Sequence, residues 1–177
     1  GELSETERLQ NCIFILNAGY ETTTNLIGNA LYMLWRYPDE KKFLNANPDL
    51  IDNAVEELLR MQSPNQFGNR QTTRPVELRG LKLDKDINID MCISAANRDS
   101  AIFERPDVFD IRRKNSRQHL AFAAGPHVCV GLTLARLEAK IAVSEFLKRF
   151  TDYQIRPNAI ISKRIRFRGY VRLPANL

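Results

Sequence analysis

Apolar positions recur at helical spacing from Leu9 through Leu34, and the preceding Ser4-Glu5-Thr6-Glu7 matches a capping box. Together they predict one long helix over 4–36. Its centre, Ala18-Gly19-Tyr20-Glu21-Thr22-Thr23-Thr24, breaks the pattern. A mid-helix glycine costs about 1 kcal/mol against alanine, and three β-branched residues follow. A kink is expected there, with threonine hydroxyls bonding back to carbonyls. Pro38 ends the helix and 39–44 forms a short one. Pro48 opens the next, whose apolar face is Leu50, Ile51, Ala54, Val55, Leu58 and Leu59. From Ser63 the period shortens, and strands are predicted at 67–73, 76–78, 81–83 and 87–93. Residues 95–99 read as a helical turn and 103–118 as a long irregular loop. A second long helix covers 132–150, followed by strands at 153–156 and 165–173. The fold class is mainly α with small β-sheets.

Composition narrows the partners. The 177 residues carry 26 Lys+Arg against 21 Asp+Glu, a formal charge of +5. That is too mild to demand nucleic acid, and a basic patch for an acidic protein partner fits it equally. No uncharged apolar run reaches the ~18 residues of a membrane span, and the acidic, polar start carries no secretory signal pattern. Three scattered cysteines, Cys12, Cys92 and Cys129, argue against a disulfide framework and for a reducing, cytoplasmic setting.

The chemistry concentrates in Phe122-Ala123-Ala124-Gly125-Pro126-His127-Val128-Cys129-Val130-Gly131, which opens directly onto the helix at 132. A cysteine at a helix N-terminus meets unpaired N–H groups and the positive end of the dipole, and both favour the thiolate. Gly125 and Gly131 permit turns that other residues resist. Three uses of such a thiolate compete. Zinc wants several Cys/His at motif spacing, whereas His119 and His127 are the only histidines and no Cys-x-x-Cys occurs. A Cys–His nucleophile needs His127 and Cys129 in contact within a groove. A haem ligand needs a cysteine shielded from water, cations for the propionates and a polar device on the oxygen side.

Three separated patterns then coincide. The cysteine loop resembles the haem-ligand signature of the cytochrome P-450 family, Phe-x-x-Gly-x-His-x-Cys-x-Gly. Ala18-Gly19-Tyr20-Glu21-Thr22-Thr23 resembles its oxygen-side helix motif, and Glu57-Leu58-Leu59-Arg60 its Glu-x-x-Arg helix. Order and spacing also match. Ala95–Asp99 and Pro106–Asp110 are similar to stretches of bacterial members. The resemblance implies the C-terminal portion of that fold, with 1–177 the C-terminal half of a single longer domain. By resemblance Cys129 is the proximal ligand of a haem b iron, and His127 and Arg70 contact its propionates. Phe122, Gly125 and Gly131 shape the loop beside the porphyrin. Ala18 and Gly19 lie against the cofactor on its oxygen side, where Gly19 with the threonines opens the helix ladder; Thr22 stands beside the bound oxygen and Glu21 feeds the proton relay. Glu57 and Arg60 become a buried pair positioning the cysteine loop. Its usual third member would stand at Val108, so Arg112 or Arg113 is expected to substitute. Ala123 occupies a position where many members carry glycine, and its small methyl is expected to be tolerated.

The resemblance further implies a monooxygenase that inserts one atom of O2 into a small organic substrate, with electrons from a ferredoxin or flavoprotein. The basic cluster Arg112, Arg113, Lys114, Arg117 and His119 is the expected docking face. Asn17, Ala18, residues 64–67 and Ile160-Ile161 are the expected pocket lining. A half-encoded pocket should leave apolar surface exposed on the long helix and the cysteine loop. Alternatives are a non-catalytic haem-binding remnant, and a peroxide-using or isomerising relative; the latter is disfavoured by the intact Glu21-Thr22 pair.

Overall fold

The computed structural model describes residues 2–177. The capping box forms in full: the Glu7 N–H donates to Ser4 Oγ, and the Ser4 N–H donates back to Glu7 Oε2 at 2.8 Å. It starts α1 (Glu5–Arg36), which runs 32 residues to the turn at Tyr37. The expected break in its centre does not occur, and α1 is helical throughout. Thr22 Oγ1 donates to the Ala18 carbonyl at 2.7 Å and Thr24 Oγ1 to that of Tyr20 at 2.8 Å. The threonine hydroxyls thus bond back to carbonyls one turn earlier, as the sequence predicts, within a helix that stays continuous. Pro38 sits at the first turn of α2 (Pro38–Ala46). Pro48 opens a 3-10 turn leading into α3 (Ile51–Met61).

Four two-stranded antiparallel sheets follow. Strand β1 (Phe67–Gln71) pairs with β4 (Asn88–Cys92), placing Arg70 opposite Ile89. Between them β2 (Val76–Leu78) and β3 (Leu81–Leu83) form a hairpin. A short α4 (Ile93–Ala96) precedes the irregular segment, and α5 (Leu132–Arg149) follows the cysteine loop. At the end β5 (Gln154–Ile155) pairs with β8 (Ala175–Asn176), and β6 (Ile160–Ile161) with β7 (Tyr170–Arg172). The long strand expected at 165–173 is thus only three residues. The preceding stretch turns to approach α1 so closely that a Cβ on Gly169 would overlap the Asn25 side chain at 1.9 Å.

One apolar core joins the C-terminal half of α1, α3 and α5. Leu26, Ala30, Met33 and Leu34 meet Ala54, Val55, Leu58 and Leu59, with Ala139, Val143 and Leu147 from α5. Residues 54–61 of α3 are all buried, charged ones included. By contrast every described residue up to Tyr20 is exposed, among them Leu9, Ile13, Phe14, Ile15 and Leu16. This is the exposed apolar surface expected of the long helix.

Candidate functional site

Two adjacent carboxylates on α3 organise the site's supports, and each faces a different segment. Glu57 is wholly buried and grips Arg60 at both oxygens, with Nε to Oε2 at 2.7 Å and Nη2 to Oε1 at 2.9 Å. Arg60 then donates through Nη1 to the carbonyls of Asn97 and Pro106, both at 2.8 Å. Arg113 closes the group, its Nε donating to Glu57 Oε1 at 3.1 Å. The third member is therefore Arg113, one of the two candidates from sequence. Val108 takes part through its carbonyl, which accepts from Arg113 Nη2 at 2.9 Å. A buried pair so fully bonded fixes the irregular segment onto α3.

Glu56 is the support that the sequence reading missed. Burial works to raise its pKa, but hydrogen bonds and charge from His119 and Arg136 overcome this and hold it at about 2. Arg136 donates Nε to Oε1 at 2.7 Å and Nη2 to Oε2 at 3.1 Å. His119 Nε2 lies 2.9 Å from Oε2. Its Nδ1 accepts the Ala121 N–H at 3.1 Å, which leaves Nε2 as the nitrogen that donates to the carboxylate. Asn97 adds a further tie, accepting the Leu120 N–H at its Oδ1 at 2.7 Å.

This corrects the expected docking cluster. His119 is buried, and the side chain of Arg113 is 8% exposed, because both are spent on α3 carboxylates. Arg112, Lys114 and Arg117 remain at the surface, with Arg112 paired to Glu40 and Asp110.

The cysteine loop hangs from these supports. The Cys129 N–H donates to the Phe122 carbonyl at 2.9 Å, folding the loop back on itself. Phe122 is held from the other side, with the Arg136 guanidinium 4.7 Å over its ring. Gly125 has φ +70 and Ala123 φ +60, both in the left-handed region. For Ala123 the constraint is thus backbone conformation, not side-chain size. Gly131 has an ordinary φ of −87, so no turn requires it there; an added Cβ would stand 3.9 Å from Cys129 Sγ. The thiol lies beside the first turn of α5, as expected. It is exposed, however, together with Val128 and a 99% exposed Val130, because no other described part of the chain covers this face.

Of the remaining candidates His127 lies in the loop itself and the others lie outside it. Arg70 and His127 are both exposed, and neither has a salt-bridge partner among the described residues, which leaves a guanidinium and an imidazole free to hydrogen-bond an anionic ligand. Ala18 and Gly19 are exposed on α1, and Glu21 and Thr22 are half-buried. Glu21 pairs with Arg164, a partner from the segment before β7 that the sequence reading did not foresee. Among the described residues no hydrogen bond joins Glu21 or Thr22 to the cysteine loop. An exposed soft sulfur donor, an unpaired guanidinium and imidazole, and flanking apolar faces are together a donor set that fits a haem carrying carboxylates.

Comparison with known proteins bears on the family of the chain. The family model for Cytochrome P450 matches 45–163. The chain is 44% identical over 154 residues to the biotin biosynthesis cytochrome P450 of Bacillus subtilis, covering 87% of this chain and 39% of that protein. It is 40% identical over 178 residues to putative cytochrome P450 140 of Mycobacterium tuberculosis, covering 99% of this chain and 40% of that one. Among solved structures, P450BioI in complex with a hexadec-9Z-enoic acid-ligated acyl carrier protein superposes with a TM-score of 0.96 at 39% identity, covering 99% of this chain and 46% of its own. CYP109E1 from Bacillus megaterium in complex with corticosterone gives 0.94 at 34% identity, covering 99% and 48%. The chain spans about two-fifths of the length of these curated relatives. Members of this group are typically haem-thiolate monooxygenases, and no helix among the described residues is long and apolar enough to cross a membrane. With its family model, its relatives and its architecture in agreement, the chain belongs to the cytochrome P450 family and forms part of that fold.

Proposed function

We propose that this chain is the C-terminal half of a haem b-dependent monooxygenase that inserts one atom of O2 into a small organic substrate. The observation that carries the reading is the setting of Cys129. Its thiol stands at the N-terminus of α5, on a loop that α3 holds from both sides. Bound haem would supply the iron at which dioxygen is activated. Cys129 would hold it through its sulfur, from the loop that leads into α5. Arg70 and His127 would receive the propionates through charge-assisted hydrogen bonds.

On the oxygen side Thr22 would place its hydroxyl beside the reacting atoms, and Glu21 would exchange protons with solvent. Its pairing with Arg164 holds the carboxylate at the edge of α1, where solvent reaches it. Substrate would lie between Ala18 of α1, residues 64–67 and Ile160-Ile161. Exposed apolar residues on α1 and beside Cys129 support a pocket that is finished by further chain. Electrons would come from a ferredoxin or flavoprotein docking at Arg112, Lys114 and Arg117. Three free cysteines fit a reducing, cytoplasmic setting.

The test is product analysis of the full-length protein with isotopically labelled dioxygen and an electron donor. One labelled atom is expected in the product. Thr22→Ala and Glu21→Gln should cut product per electron consumed by about a hundredfold, the lower end of what a positioned proton-transfer group contributes. Full coupling in both variants would overturn their assigned roles. Product free of label would overturn the reaction.

A further inference from the structure

Residues 119 and 136 bracket the cysteine loop, and both end on one carboxylate. His119 is the last residue before the loop's apolar run, and Arg136 lies in the second turn of α5. Glu56 bonds the first at 2.9 Å and the second at 2.7 and 3.1 Å. The segment between them is therefore a closed loop pinned at its base to α3. The grip passes inward through Phe122. The Arg136 guanidinium lies 4.7 Å over that ring, and the His119 ring centroid is 5.9 Å from it. The Phe122 carbonyl in turn accepts the Cys129 N–H at 2.9 Å. Three short steps thus run from the Glu56 carboxylate to the backbone of the thiol-bearing residue.

Glu57 next door does a different job. Its partners, Arg60, Arg113 and the Asp110 N–H, all belong to α3 or to the irregular segment. A buried carboxylate hydrogen-bonded to His119 and Arg136, with the exposed Arg117 a further 3.9 Å charge neighbour, is costly to assemble unless every bond is made. Here every bond is made to the two ends of one loop.

We propose that Glu56 is the positioning residue of the cysteine loop: by holding His119 and Arg136 on one carboxylate, it fixes both ends of the loop and, through Phe122, the orientation of Cys129. This rests on the reading of Cys129 as an iron ligand. Partners that orient a ligating residue tune the metal as well as hold it. Glu56→Gln keeps the size but turns an NH2 group toward an N–H donor, so at least one end of the loop is released. Glu56→Asp keeps the charge at shorter reach and should restore part of the grip.

The test is made on the full-length haem protein, reading the ferrous carbon monoxide spectrum and the iron reduction potential. In Glu56→Gln the fraction of carbonyl complex lacking thiolate ligation should rise about tenfold, the lower end of what losing a ligand-supporting partner costs. The potential should rise as thiolate donation weakens, and Glu56→Asp should fall between the two. A haem-loaded Glu56→Gln protein with the wild-type spectrum and potential would overturn the proposal. Should Glu56→Gln fail to load haem, Arg136→Lys decides. It keeps the charge but loses the second N–H bond and the plane stacked on Phe122, so the same shift is expected. A wild-type spectrum in Arg136→Lys would then reduce Glu56 to a folding element and overturn the proposal. If the wild-type protein itself lacks the thiolate spectrum, the functional reading falls with it.

Discussion

Helix α3 and the N-terminal half of α1 have similar apolar content and opposite fates. In α3 residues 54–61 are all buried, and its two glutamates and its arginine are fully bonded. In α1 every described residue up to Tyr20 is exposed, although Leu9, Ile13, Phe14, Ile15 and Leu16 would suit a core. The difference lies in what each helix has to pack against. Helix α3 is wrapped by α1, α5 and the irregular segment, whereas the first half of α1 meets no other element among the described residues. The scaffold beneath the cysteine loop is therefore complete within this chain, while the surface over the thiol and the oxygen-side motif is not.

The largest test of that contrast removes one partner of the buried pair. Arg60→Met removes the two-bond partner of Glu57 and leaves its buried charge to Arg113 alone, and chemical denaturation should show a loss of about 3–5 kcal/mol. A loss below 1 kcal/mol would mean that the α3 hub does not carry the fold. The next compares one kind of truncation at the two helices. Leu58→Ala should cost about 2–5 kcal/mol, while Phe14→Ala in this chain should stay within about 0.5 kcal/mol. In the full-length protein the Phe14→Ala cost should grow if further chain covers α1. Equal costs in this chain would erase the comparison.

Acid should act on the hub as well. Glu56 is held at about 2 against an ordinary value of 4.5. Above pH 4.5 it is ionised in both folded and unfolded states, and its contribution is whole. Below that the unfolded chain takes up the proton first, so stability falls with pH and the contribution is gone once pH passes the folded value. A denaturation series between pH 5 and 2 should show this fall in the wild type and a shallower one in Glu56→Gln. The smallest expected effect is a gain: Ala123→Gly, at φ +60, should stabilise the loop by about 1 kcal/mol, visible as a higher melting temperature. A lower melting temperature would contradict the strain.

Much of this was legible in the sequence, and the residues show why. The capping box at Ser4–Glu7 and Pro38 bounded α1 because both act locally. The Glu57–Arg60 pair was readable because three-residue spacing puts both on one helix face. The Glu56 cluster was not, since its partners lie 63 and 80 residues away and no periodicity links them. His119 read as a surface charge for the same reason. Strands β6 and β8 are two residues each, too short to show a period. The threonine bonds back to Ala18 and Tyr20 were legible because they span a single turn of α1.

The central claim is that Cys129 is the thiolate ligand of a haem iron, and one measurement addresses it directly. The carbon monoxide difference spectrum of the reduced full-length protein should show the band of thiolate-ligated haem, and Cys129→Ala should abolish it while a Cys12→Ala control retains it. Absence of the band in the wild type, or its survival in Cys129→Ala, would contradict the account.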